Sequence, residues 1–223
     1  VSAIQLVVEA AAGETRMNDH DRDRRLLIGA LLMTSLAGCS QAATKTAASV
    51  PSDMDLGNRK AAITVVEYAS VACPVCGRWY KEVYPAFKAK YIDTSKVHFI
   101  YREMLVGSRE EMLAAAAGFL LARCAGKDRY FKIVDAVYNS QPALFDDPRG
   151  VLLKIAKGAG FSEDQFDACV KDDASIQALS KRVEANAKID NVNATPTFVV
   201  NGKSLEPGYH SLADLDVAIA AAR

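Results

Sequence analysis

Cys73 and Cys76 stand three residues apart, with Pro74 and Val75 between them. They follow the strand-like run ITVVEY (63–68) and open an amphipathic helical pattern. Two thiols at this spacing on a helix N-terminus can close and reopen a disulfide with little backbone movement. The first thiol should face the unbonded N–H groups and the positive end of the helix dipole, which favour its thiolate, the form that attacks disulfides. Pro74 suits the first helical turn, where a missing N–H loses nothing. Taken alone, a CxxC pair is compatible with half a zinc site, a structural disulfide or a redox pair. Zinc would need two further ligands at comparable spacing, yet Cys124 and Cys169 stand apart and His98 and His210 are isolated in the sequence. The expectation is a redox pair with no metal and no cofactor.

Several elements must position this pair. Apolar Trp79, Tyr80, Val83, Tyr84, Phe87 and Tyr91 recur at helical spacing after Cys76, predicting one face packed on a sheet. Trp79 reads as core, and Pro85 should kink the helix by removing the bond to the Lys81 carbonyl. KVHFIYRE (96–103) reads as a buried strand that completes a right-handed βαβ unit, with parallel strands. Residues 108–190 are helical in pattern, and three or four helices are expected. Ser108 with Glu111 and Ser162 with Gln165 form capping boxes. TFVV (197–200) resumes the strand pattern, and Asn201-Gly202 predicts a type I′ hairpin into residues 203–205. Ser211 and Asp214 start a last helix. Cys124 and Cys169 each lie one turn from an apolar residue and should point into the helical lobe. They are either two buried thiols or, in an exported chain, a structural disulfide.

Three stretches, VVEYASVACPVC, KYIDTSKVHFIYRE and NATPTFVVNG, occur in an order that resembles the DsbA-like thiol-disulfide oxidoreductases. The resemblance runs from about residue 63 to the end of the chain. It implies an α/β, thioredoxin-like fold with an inserted helical lobe, in which residues 58–107 and 191–223 make the two parts of the thioredoxin-like domain around the 108–190 insertion. It implies that Cys73 is the exposed nucleophile and Cys76 its buried resolving partner. Thr195-Pro196 matches the cis-proline loop, whose preceding residue would pair with an extended substrate; the alternative is a trans-proline opening a strand. Glu67 matches a buried acid that could exchange a proton with Cys76, the alternative being a solvent-facing strand residue. Val75 departs from the family, in which histidine is common at this position, so the reduced state should be less stabilised. The potential is then expected between about −120 mV for DsbA and about −270 mV for thioredoxin.

The N-terminal region bears on location. Met17, followed by Arg22, Arg24, Arg25 and the apolar stretch 26–37, reads as an export signal too short to span a bilayer. Residues 1–16 read as an extension ahead of the true start at Met17. Leu36-Ala37-Gly38-Cys39 resembles the lipobox of bacterial lipoproteins, which makes Cys39 a lipidation site. An ordinary signal cut near Ala42 and Ala43 is the alternative. Residues 39–57, rich in Ala, Ser and Thr, read as a flexible tether. Lys and Arg number 27 against 27 Asp and Glu, so nothing favours nucleic acid as a partner. The expected protein is a monomeric periplasmic oxidase, tethered to the bilayer through acylated Cys39. It would oxidise reduced, unfolded exported proteins and be reset by a membrane redox partner. A reductase or isomerase of the same fold is the first rival, and an anchored binding module the second.

Overall fold

The computed structural model describes residues 53–222. The 1–16 extension, the signal segment and Cys39 lie outside the described residues. Five strands form one sheet in the order β1-β3-β2-β4-β5: β1 (Met54–Gly57), β2 (Ile63–Ala69), β3 (Val97–Glu103), β4 (Thr197–Val200) and β5 (Lys203–Ser204). β2 and β3 are parallel in register Ile63↔Val97 to Ala69↔Glu103, as the βαβ reading requires. β4 runs antiparallel to β2, with Glu67 opposite Phe198. Strands β2 and β4 are buried on both faces, which explains why their sequences show apolar runs and no strict alternation. Val65 and Ala69 face the main core with Phe99, Tyr101 and Phe198, while Val66, Tyr68 and Val199 build a smaller cluster on the opposite face.

Between β2 and β3 run α1 (Pro74–Glu82), the short α2 (Tyr84–Phe87) and a π-helical turn (Lys88–Ile92). Pro85 cannot donate to the Lys81 carbonyl, and the helix breaks at Val83, whose own N–H still reaches Trp79 O at 2.8 Å. Trp79 is fully buried and packs on Phe198 at 4.8 Å between ring centres. The closing hairpin has φ of +46° at Asn201 and +80° at Gly202, the two left-handed positions a type I′ turn needs. Ser211 and Asp214 form the capping box of the final helix, α9 (Leu212–Ala221), which buries Leu215 and Ile219.

The insertion holds six helices, not three or four: α3 (Arg109–Cys124), α4 (Lys127–Asn139), α5 (Gln141–Asp146), α6 (Pro148–Gly158), α7 (Glu163–Lys171) and α8 (Asp173–Ile189). The extra breaks have local causes. Gly126 takes φ +84° between α3 and α4, and Asp147 and Asp172 cap the following helices by accepting from Gly150 N and Ser175 N at 2.9 and 2.8 Å. Both expected capping boxes are formed. The folded part begins earlier than residue 58, because residues 54–57 of the expected tether pair with β3 as strand β1. Met54 is buried there, and a Cβ on Gly57 would meet Val97 O at 2.4 Å, so this end of the strand requires glycine. Cys124 and Cys169 are joined in a disulfide across 45 residues. Cys169 is buried, whereas Cys124, the last residue of α3, is exposed at the surface of the lobe. Among the described residues no helix is long and apolar enough to cross a membrane.

Candidate active site

The chain leaves β2 at Ala69, turns through Ser70 to Cys73 with a Cys73 N–H to Ser70 O bond of 3.0 Å, and enters α1 at Pro74. Cys73 is the N-cap residue of α1, and its sulfur accepts the Cys76 N–H at 3.4 Å. Both cysteines carry free thiols, Cys73 partly exposed and Cys76 fully buried. The Cys76 thiol, followed by the Thr195 side chain and the N–H groups of Cys76 and Val75, pulls the Cys73 thiol down to about 6 against the opposing effect of burial. Burial, then the neighbouring Cys73 sulfur, pushes Cys76 well above the ordinary thiol value. One sequence motif therefore holds a thiol ionised near neutral pH beside one that stays protonated.

Facing Cys73 is the loop that leads into β4. The Thr195-Pro196 bond is cis, and the Cys73 S–H donates to the Thr195 carbonyl at 3.5 Å. The loop is held at both ends. Gly208 N–H bonds Pro196 O at 2.8 Å. Asp190, just past α8, receives the Tyr68 hydroxyl and, at 3.1 Å, Arg102. Glu67 lies beneath the pair on β2, buried and not facing solvent, and neither carboxyl oxygen has a hydrogen-bond partner among the described residues. Burial, then the charge of Cys73, raises it to about 8. The structure thus brings Cys73, Cys76, Glu67, Thr195 and Pro196 to one end of the sheet, and leaves Cys124 and Cys169 in the helical lobe.

Residues 49–220 match the family model described as Thioredoxin. The chain belongs to the thioredoxin family. A Rickettsia typhi protein named as a protein-disulfide oxidoreductase is 32% identical over 69% of this chain and 56% of its own length. Disulfide bond formation protein D of Bacillus subtilis is 24% identical over 72% of this chain and 71% of its own. The chain spans 56 and 59% of the length of the Rickettsia typhi and Rickettsia conorii relatives. Among solved structures, Wolbachia pipientis alpha-DsbA1 superposes with a TM-score of 0.67 at 26% identity, covering 78% of this chain and 92% of that one.

Two residues of this thioredoxin-family site escape a sequence reading. Gln141 opens α5 and sends its Nε2 to the carbonyls of Val71 and Cys73, both at 2.9 Å. Glu103 ends β3 beside Ala69 and gathers three lobe helices: Arg123 from α3 at 2.8 Å, Tyr130 from α4 at 2.8 Å and Arg182 from α8 at 2.6 Å. Asn186 of α8 adds a bond to the Glu103 carbonyl at 3.0 Å. Burial would raise the Glu103 carboxyl, but the Arg182 and Arg123 guanidiniums overcome this and hold it below its ordinary value. Neither residue stands at a telling spacing from Cys73. The one usable signal is Glu103 as a charged residue inside a buried-strand pattern, a placement that demands a partner.

Proposed function

We propose that the chain is a periplasmic dithiol oxidase that introduces disulfides into exported proteins through Cys73 and Cys76. The observation that carries this reading is the placing of the Cys73 sulfur. It caps α1, partly exposed, 3.5 Å from the Thr195 carbonyl, while Cys76 is shut away beneath it. In the oxidised protein a substrate thiolate attacks Cys73 Sγ. The new S–S bond forms as the Cys73–Cys76 bond breaks, and the electron pair leaves on Cys76, which takes a proton from the Glu67 carboxyl. A second substrate thiolate then attacks the substrate sulfur of the mixed disulfide, and Cys73 departs as a thiolate. The substrate loses two electrons and the pair gains them. A low Cys73 pKa favours this direction, because the better leaving group is released faster and the reduced form is stabilised. Thr195 and Pro196 offer main-chain pairing to an extended substrate, Glu67 regains its proton from solvent, and a membrane partner restores the disulfide. The protein works as a monomer, held at the membrane by acylated Cys39.

The test is equilibration of the pair against glutathione, together with oxidation of a reduced, unfolded substrate. A potential well above the roughly −270 mV of thioredoxin, with stoichiometric substrate oxidation lost in Cys73→Ala, is expected. In the reduced protein, iodoacetamide at pH 6 should modify Cys73 and spare Cys76. A potential near that of thioredoxin would instead favour a reductase, and equal labelling of both thiols would remove the nucleophile assignment.

A further inference from the structure

We propose that Gln141 is a positioning residue for the redox pair, through which the helical lobe holds the main chain of Cys73 in the geometry that aims its sulfur. The inference rests on the reading of Cys73 as the nucleophile. Gln141 is buried, and its Nε2 spans from α5 to two carbonyls of the active-site loop, Val71 O and Cys73 O, each at 2.9 Å. Two carbonyl acceptors can be met only by the amide nitrogen, which carries two N–H groups, so the orientation of the amide is dictated by its surroundings. The Cys73 carbonyl also accepts the Gly77 N–H at 3.0 Å, a bond of the first turn of α1, and the Cys73 N–H is spent on Ser70 O. Every main-chain polar group of Cys73 is thereby engaged, and its Cα–Cβ direction follows. That direction sets Sγ where it accepts the Cys76 N–H at 3.4 Å and meets the Thr195 carbonyl at 3.5 Å.

Gly77 supplies a second, independent sign that this clamp is built. A Cβ at position 77 would lie 2.0 Å from Gln141 Oε1, so residue 77 has room for a hydrogen only while the glutamine is in place. A helix interior ordinarily favours alanine over glycine by about fivefold in the local equilibrium. Here the glycine leaves space for the clamp. Without the clamp the loop carbonyls would turn away to find other donors, and the N–H groups at the start of α1 would no longer converge on the sulfur. The thiolate, and with it the reduced form, would lose stabilisation.

The experiment compares the full chain with Gln141→Met, which keeps the length but removes both donors, with Gly77→Ala, which pushes the intact amide aside, and with the double variant. The equilibrium constant for oxidation of glutathione and the absorbance titration of the Cys73 thiolate are read beside thermal unfolding. Each single variant should lower the equilibrium constant about three- to tenfold, the net effect of one hydrogen bond, and move the thiolate titration to higher pH. The double variant should fall no further than Gln141→Met alone, because both changes remove one interaction. Lower melting temperatures with an unchanged constant and titration would show mere packing and overturn the inference. If Gln141→Met does not fold, Gly77→Ala decides alone, and an unchanged constant there overturns it. Failure of the parent protein to exchange with glutathione would sink the redox reading instead, and the thiolate titration would still report on Gln141.

Discussion

Glu67 is a carboxyl that folding makes harder to ionise, and this has a measurable cost. Its ordinary value is 4.5 and its value in the dithiol protein is about 8. A raised carboxyl binds its proton more tightly in the folded than in the unfolded chain, so it subtracts stability as pH rises from 4.5, up to a plateau above about 8. At pH 7 the penalty is about 3 kcal/mol, from roughly 1.4 kcal/mol per pH unit. Glu67→Gln should therefore stabilise the reduced protein by about that amount at pH 7 and by almost nothing at pH 4.5, a contrast that urea unfolding at the two pH values would reveal. The same substitution should slow exchange, because in the proposed mechanism Cys76 takes its proton from this carboxyl. A gain in stability independent of pH would mean that the carboxyl is not the titrating group.

The helix and strand pattern shows what a sequence can and cannot disclose. β2, β3, the break at Pro85, the Asn201-Gly202 hairpin, two capping boxes and the start of the last helix at Ser211 were legible, because each has a local cause written within a few residues. β1 was not, since four residues with two apolar side chains carry too little pattern and their strand nature comes from pairing with β3. The division of the lobe into six helices was lost because α5 has only six residues and falls between Ser140 and Asp147 without a change in composition. Gln141 was lost with it, because its role depends on a loop 68 residues away. The CxxC pair and Glu67 were visible through local order and family likeness, whereas the clamp is purely tertiary. The lobe also carries the Cys124–Cys169 link between α3 and α7. Replacing both with alanine should cost about 2 to 4 kcal/mol, since closing a loop of this size restricts the unfolded chain. Differential scanning calorimetry would register the loss, and an unchanged melting temperature would exclude it.

The molecule is joined across its middle by Glu103, the end of a sheet strand on which side chains from α3, α4 and α8 converge. Its carboxyl is held below its ordinary value, so its contribution is fully present above pH 4.5 and disappears as pH falls through the lower folded value. Glu103→Gln should cost about 3 to 5 kcal/mol at pH 7, because the buried Arg182 guanidinium and the partly buried Arg123 guanidinium would both face a neutral amide in place of a carboxylate. It should also flatten the acid side of the stability profile, as measured by denaturant unfolding between pH 3 and 7. A small loss with unaltered pH dependence would refute the assignment of this joint.

The borders of the sheet carry a last consequence. Its outer strands have only four and two residues, and both residues of β5 are exposed. A long bare border would present a row of free N–H and C=O groups, a template on which any extended chain could stack. Such stacking is the beginning of aggregation, and a protein that acts on unfolded polypeptides, as proposed above, would meet that hazard continually. Truncated borders leave a visiting chain few places to pair at length, so encounters that do not engage the thiol should be brief.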